Sequence, residues 1–147
     1  MVTIKNKQRK IKINVKDLER QASRMLAAAS YPHFDLGILL TTNPTIHKFN
    51  KKYRGKDKPT DILSFSYHTL KPGQKIEVES PEDKNLGDLI ISLEYVLEDA
   101  PNWGQTFNER MIILLAHGIA HLLGYDHETD AEFKLMQKIE KKLLASI

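Results

Sequence analysis

The sequence contains no cysteine, and this absence restricts the chemistry open to the protein. Without thiols there is no disulfide and no thiolate ligand, so a transition-metal site must be built from histidine and carboxylate. No apolar run approaches the roughly 20 residues that a membrane-spanning helix needs. The N-terminus, MVTIKNKQRK, also lacks the apolar core of a signal peptide. We therefore expect a cytoplasmic protein without a membrane segment.

Repeats, low-complexity tracts and linkers are missing as well. The 147 residues are 41% hydrophobic and 28% charged, which is enough chain and apolar content for one compact domain over residues 1–147. The net charge of +3 is small, but basic residues cluster in the segments 5–12 and 48–58. Such clusters suit a polyanion such as nucleic acid, although an ordinary solvated surface explains them equally well.

Four segments carry strand signals. Apolar residues alternate with basic ones between Val2 and Ile13, which predicts a strand or a hairpin. The segments DLGILLTT, TDILSFSY and LGDLIISL are rich in apolar residues and predict three further strands. Between the last two lies KPGQKIEVESPEDKN, which has no helical pattern and predicts a mobile loop.

Five segments carry helix signals, and their capping residues are the clearest of these. Thr106 with Glu109, and Thr129 with Glu132, have the spacing of capping boxes. The predicted helices begin at Asn14, Asn43, Ser92, Thr106 and Thr129. The fourth is apolar on nearly every side and is expected to be the central buried helix. Strands followed by helices predict an α+β fold, with a small mixed sheet packed against helices.

The stretch AHGIAHLLGYDHETD, residues 116 to 130, holds half of the six histidines. His117 and His121 are four residues apart on the central helix and project from the same face. Gly124 lies where a left-handed residue ends a helix, so the chain can turn and bring His127 back. Three converging imidazoles with a fourth position open are typical of a catalytic zinc site rather than a closed structural one.

The spacing of these histidines is that of the metzincin proteases, whose helix reads H-E-x-x-H-x-x-G-x-x-H. This chain has Gly118 where those enzymes carry the glutamate that acts as base in peptide hydrolysis. Glycine has no group that could replace it. A metallopeptidase is therefore the least favoured function.

The segment HGIAHLLGYDH resembles the H-G-x-x-H-L-x-G-Y-D-H signature of the YbeY family of metal-dependent endoribonucleases. NKKYRGKDKPTDILSFS, residues 50 to 66, and GDLIIS, residues 87 to 92, are also similar to that family. The one departure is Ser66, where the family usually has proline. The resemblance implies a zincin-like fold with a central metal-binding helix and one zinc ion per chain on His117, His121 and His127.

The same resemblance implies a function and partners. It implies a single-strand-specific endoribonuclease that matures ribosomal RNA, especially the 3′ end of the small-subunit RNA, and acts in ribosome quality control. The expected partners are RNA, in particular ribosomal RNA, and the small ribosomal subunit. The alternative left open is a non-catalytic ribosome assembly factor, in which zinc holds the last two helices together and the basic face binds RNA.

Arg54 is the position on which the family's important arginine falls, and we expect it to be catalytic together with His117 and His121. A guanidinium can stabilise charge on phosphorus with a bidentate fork. Arg54 could instead be a helix C-terminal cation, paired with Asp57 or Asp61. Trp103 and Phe107 leave a similar choice open, between a stacking platform for a base and packing around a helix start.

Overall fold

A computed structural model describes all 147 residues and contains one mixed four-stranded sheet. The strands are β1 (Val2–Asn6), β2 (Asp35–Thr41), β3 (Ile62–Ser66) and β4 (Asn85–Ser92). Their order across the sheet is β1-β2-β4-β3, with β1, β2 and β4 parallel and β3 antiparallel to β4. The antiparallel β3 forms one edge of the sheet, and it is this edge strand that borders the site described below.

Five helices accompany the sheet and confirm the predicted α+β class. They are α1 (Val15–Ala28), α2 (Asn43–Arg54), α3 (Leu93–Asp99), α4 (Phe107–Leu122) and α5 (Asp130–Leu144). None of them is long and apolar enough to cross a bilayer. The capping box at the start of α4 is complete, because Thr106 and Glu109 bond each other's backbone N–H groups.

Helix α4 is the central helix that its apolar sequence predicts. Nine of its sixteen residues are buried, and it packs against α5, β3 and α1. The main core joins α4 to α1 and to the inner residues of β2 and β4. Ile46 of α2 belongs to a second, smaller cluster with Leu63 and Ile90. Because α4 is held on several sides, side chains on its exposed face have a rigid support.

Four details differ from the sequence-based expectations. The N-terminal segment forms only strand β1 and no hairpin, since β1 pairs in parallel with β2. The N-cap of α2 is Thr42 rather than Asn43, whose side chain accepts a hydrogen bond from Ser92 instead. At α5, only Thr129 caps, with no reciprocal bond from Glu132. The loop after β3 contains one 3-10 turn at Pro81–Asp83.

Candidate metal centre

Helix α4 places the first two histidines of the site. His117 and His121 lie one turn apart near its C-terminal end, and both side chains are partly buried. Their ring centroids are 4.6 Å apart and their ring planes nearly perpendicular, at 89°. The two Nε2 atoms face each other at 3.1 Å. Two adjacent turns of a single rigid helix thus present two ligand atoms to one point.

The turn after α4 brings in the third histidine. Gly124 has φ +95°, the left-handed conformation that its position in the sequence predicts. A Cβ at Gly124 would meet the Leu70 carbonyl oxygen at 2.4 Å, so the turn also needs glycine for space. Beyond it, the His127 ring lies with its centroid 5.5 Å from that of His117 and 5.3 Å from that of His121. One ligand atom from each of the three histidines falls within 4.8 Å of the others.

Backbone and carboxylate groups orient two of the imidazoles. The Nδ1 of His121 lies 2.9 Å from the carbonyl oxygen of Tyr125, which can only accept, so Nδ1 carries the proton and Nε2 a free lone pair. The Nδ1 of His117 lies 3.6 Å from the Glu140 carboxylate. A carboxylate or carbonyl behind a ligating imidazole is the usual arrangement at metal sites. Both Nε2 atoms therefore face the space between the histidines, where they could bind a metal ion.

The protonation state of His121 also suits a ligand. Burial is the main cause that lowers the pKa of His121, with a smaller contribution from the charge that His117 would carry. The hydrogen bond to Tyr125 acts in the opposite direction but is outweighed. The imidazole of His121 is therefore neutral at pH 7, with its lone pair available.

These donors fit a zinc ion. Zinc binds imidazole nitrogen at about 2.0–2.1 Å in tetrahedral geometry, which sets neighbouring donors about 3.3 Å apart. The observed Nε2–Nε2 distance is 3.1 Å. The two Nε2 atoms are therefore close enough to bind the same cation. A group of three imidazoles without thiolate could thus hold one metal ion.

Arg54 lies in the same cleft as the three histidines, which has a volume of about 880 Å³. It is the last residue of α2 and is exposed. Its guanidinium donates to the Ser64 carbonyl oxygen at 2.6 Å and stacks on Phe65, 4.8 Å from the ring centroid. The acidic pairing that the sequence left open does not form. Asp57 bonds His47 and approaches Lys51, and Asp61 lies beside Arg110.

Two residues of this cleft were missed at the level of the sequence. Glu140 lies on α5 between the buried Met136 and Leu143, and an acid within a buried helical stripe is a signal that sequence inspection could have used. Arg110 is 7% exposed on α4, and its guanidinium lies 3.5 Å from the Asp61 carboxylate. A buried arginine on an otherwise apolar helix face is a comparable signal.

Gly118 is buried against the sheet. A Cβ at this position would lie 2.8 Å from Ile62 Cδ1 and from Leu89 Cδ2. Position 118 therefore faces the packed interface between α4 and the strands β3 and β4. A glutamate could not occupy it without displacing core side chains, so the departure from the metzincin pattern has a packing cause.

Comparison with known proteins identifies relatives over nearly the whole chain. The chain is 36% identical to endoribonuclease YbeY of Thermoanaerobacter sp. (strain X514), with 99% of this chain and 96% of the relative covered. It is 40% identical to endoribonuclease YbeY of Sulfurihydrogenibium sp. (strain YO3AOP1), with 92% and 87% covered. The solution structure of TM1509 from Thermotoga maritima is similar in fold, with a TM-score of 0.59, 23% identity, and 99% of this chain and 90% of that chain covered.

The family comparison extends over nearly the whole chain. The sequence pattern of the family described as endoribonuclease YbeY matches residues 3–147, which include all three histidines and Arg54. The chain therefore belongs to the endoribonuclease YbeY family.

Proposed function

We propose that this protein is a zinc-dependent endoribonuclease of one domain, residues 1–147, that cleaves single-stranded regions of ribosomal RNA. Its proposed task is the maturation of the 3′ end of the small-subunit RNA and ribosome quality control, with the small ribosomal subunit as partner. The observation that carries the proposal is that three imidazoles in an open cleft each bring a ligand atom within 4.8 Å of the others.

Family membership identifies the chain as an RNA-cleaving hydrolase, with RNA as its substrate. The metal and the residue roles are inferred from the cleft. His117, His121 and His127 would hold the zinc ion. Once bound, zinc supplies a Lewis acid that polarises a phosphoryl oxygen and activates a nucleophile at neutral pH.

The chain's own residues orient the site and stabilise charge. Glu140 and the Tyr125 carbonyl hold the imidazoles of His117 and His121 in the ligand orientation. Arg54 donates to backbone carbonyls of Tyr53 and Ser64, which leaves further donors of its guanidinium for phosphate oxygens. Because no carboxylate pairs with Arg54, its positive charge remains available to the pentavalent phosphorus of the transition state.

The decisive test is whether RNA cleavage follows metal occupancy. We expect wild-type protein to contain about one zinc per chain after zinc loading and to cleave single-stranded RNA. His121→Ala should lose both properties. The matched control is His33→Ala, because His33 is exposed and lies outside the cleft.

Two outcomes would contradict the proposal. Zinc-loaded wild-type protein that binds RNA without cleaving it would identify a non-catalytic assembly factor in which the metal is structural. Cleavage by His121→Ala at the wild-type rate would place the chemistry elsewhere. Metal analysis and cleavage should therefore be measured on the same preparations.

A further inference from the structure

The wall of the metal cleft contains the chain's single tryptophan. Trp103 ends the 3-10 segment Ala100–Trp103, and the left-handed Gly104 follows it. The residue is 58% exposed, although it lines the same cleft as His117 and Arg54. An exposed indole beside a polar site is an unusual use of the largest apolar side chain.

Packing around the start of α4 does not account for this exposure. That role belongs to Phe107, which is partly buried against the main core. Trp103 is not a member of either core cluster. The choice left open by the sequence is thus decided differently for the two aromatic residues.

The indole of Trp103 is held in place on one edge and one face. Its Nε1–H donates to Asp99 Oδ2 at 2.8 Å, and the Arg110 guanidinium lies over the ring, 4.1 Å from the centroid. The hydrogen bonds from Trp103 and Asn102 lower the pKa of the Asp99 carboxyl, so this acceptor is ionised at neutral pH. The Asp61 carboxylate lies 3.5 Å from the Arg110 guanidinium and helps to hold it over the ring.

Arg110 covers one face of the Trp103 ring, and the residue is still 58% exposed, which leaves the opposite face for stacking. A flat aromatic surface, fixed before binding and backed by a cation, is the kind of platform on which unpaired nucleobases stack. Bases within a duplex are already stacked on their neighbours, so such a platform favours single strands. Trp103, the three histidines and Arg54 all line this one cleft. A strand bound in the cleft at the metal centre would therefore lie close to Trp103 as well.

We propose that Trp103, backed by Arg110, is a base-stacking subsite that binds one unpaired base of an RNA strand lying across the metal centre. The inference rests on the proposed function in that RNA is taken as the substrate. It adds a contact to a base, whereas the metal and Arg54 are expected to contact phosphate. Trp103 is a binding residue here and takes no part in bond cleavage.

Intrinsic fluorescence tests the contact directly, because Trp103 is the only tryptophan. We expect a short oligouridylate to quench the fluorescence of the wild-type protein in a fast stopped-flow phase that precedes cleavage. An oligonucleotide of the same length with abasic riboses carries the same phosphates and should leave the fluorescence nearly unchanged. Equal quenching by both would show that phosphate binding, and not stacking, is being sensed.

Substitutions test the energetic contribution of the ring. Trp103→Ala should raise the Kd for oligouridylate about tenfold, equivalent to 1.4 kcal/mol. It should also remove the preference for oligouridylate over the abasic oligonucleotide. Trp103→Phe should retain part of the affinity and part of the preference for oligouridylate. The matched control is Tyr67→Ala, because Tyr67 is similarly exposed, at 52%, but does not line the cleft.

Single-turnover cleavage separates this inference from the proposed function. Trp103→Ala should raise the protein concentration needed for half-saturation about tenfold and leave the saturated rate within about twofold of wild type. Unchanged half-saturation and unchanged base preference in Trp103→Ala would refute the stacking subsite alone. If wild-type protein does not cleave RNA, the proposed function itself fails, and fluorescence quenching then shows independently whether bases still stack on Trp103.

Discussion

At the scale of single residues, the cleft contains two arginines with different environments. Arg110 is buried, lies beside Asp61 and supports Trp103. Arg54 is exposed, has no acidic partner and is tethered by a backbone carbonyl and the face of Phe65. A guanidinium that already pairs with a carboxylate has less charge to offer a phosphate. The two arginines are therefore expected to have different roles.

Substitution of Arg54 tests the catalytic role. Because Arg54 is exposed at a helix end but donates to the Ser64 carbonyl and stacks on Phe65, Arg54→Glu should lower the free energy of unfolding by about 1–2 kcal/mol and leave zinc content unaltered. The single-turnover rate of RNA cleavage should fall about a hundredfold, the scale seen when one group that stabilises transition-state charge is lost. The measurement is cleavage at saturating protein, which separates chemistry from binding.

The control for Arg54 is a neighbouring lysine on the same basic surface. Lys56→Ala should weaken RNA binding modestly and lower its salt dependence, because a lysine that contacts only phosphate contributes about one counterion to the release on binding. Its saturated cleavage rate should stay near that of wild type. Equal, mild losses in Arg54→Glu and Lys56→Ala would mean that Arg54 is only part of the basic surface.

Gly118 makes a residue-scale prediction about peptides. Its position is filled by the packing of Ile62 and Leu89, so no side chain next to His117 in the sequence can act as base. We expect the zinc-loaded protein to show no turnover of a casein-type substrate. Peptide hydrolysis that disappears in His121→Ala would contradict this expectation and revive the peptidase alternative.

At the scale of elements, the end of α4 determines where His127 lies. The turn at Gly124 depends on a positive φ and on the close approach of the Leu70 carbonyl, which lies in the loop between β3 and β4. Helix, turn and loop thus act together, and α5 adds Glu140 behind His117. The position of His127 and the orientation of His117 therefore depend on contacts between elements that are separate in sequence.

Substitution of Gly124 tests this dependence. Gly124→Ala should lower the free energy of unfolding by about 2–4 kcal/mol, as the sum of a left-handed alanine and a steric clash with backbone. It should also weaken zinc binding, because His127 is displaced. Urea unfolding and zinc titration measure the two effects.

Gly73 provides the matched control for Gly124. It has φ +80°, but a Cβ there would meet nothing within 4 Å. Gly73→Ala should therefore lower the free energy of unfolding by only about 1–2 kcal/mol, the contribution of the conformation alone. If the two alanine variants are equally stable and bind zinc equally well, the close approach of Leu70 is unimportant.

At the scale of the whole molecule, a bound metal would couple the α4–α5 end of the domain to its stability. The three histidines that would bind it come from α4 and the segment that follows it, and Glu140 of α5 lies beside His117. A ligand that binds only the folded state stabilises it by about 4.1 kcal/mol at a thousandfold excess over Kd. For a chain of this length that corresponds to a rise in Tm on the order of 10 °C.

Thermal unfolding with and without zinc measures this coupling. We expect wild-type protein and His33→Ala to show the full rise in Tm on zinc loading, and His121→Ala to show little or none. A rise of equal size in His121→Ala would indicate that zinc binds outside the cleft. Removal of zinc with a chelator should return the wild-type Tm to its metal-free value.

The sequence by itself determined the local features of this protein. The apolar periodicity of α4, the Thr106–Glu109 capping box and the left-handed Gly124 all follow from short-range chemistry, and the structure confirms each of them. The spacing of the histidines likewise predicts that two imidazoles share one helix face. These features could be read because each depends on residues within a few positions of one another.

Only the tertiary structure decided the rest. The sequence could not tell that β1 pairs with β2 rather than forming a hairpin, because strand pairing is a long-range choice. It also left open whether Arg54 pairs with Asp57 or Asp61, and whether Trp103 and Phe107 form a stacking platform or pack around a helix start. Asp61 lies beside Arg110, and Trp103 rather than Phe107 faces the cleft, because distant segments meet there when α4 packs against β3.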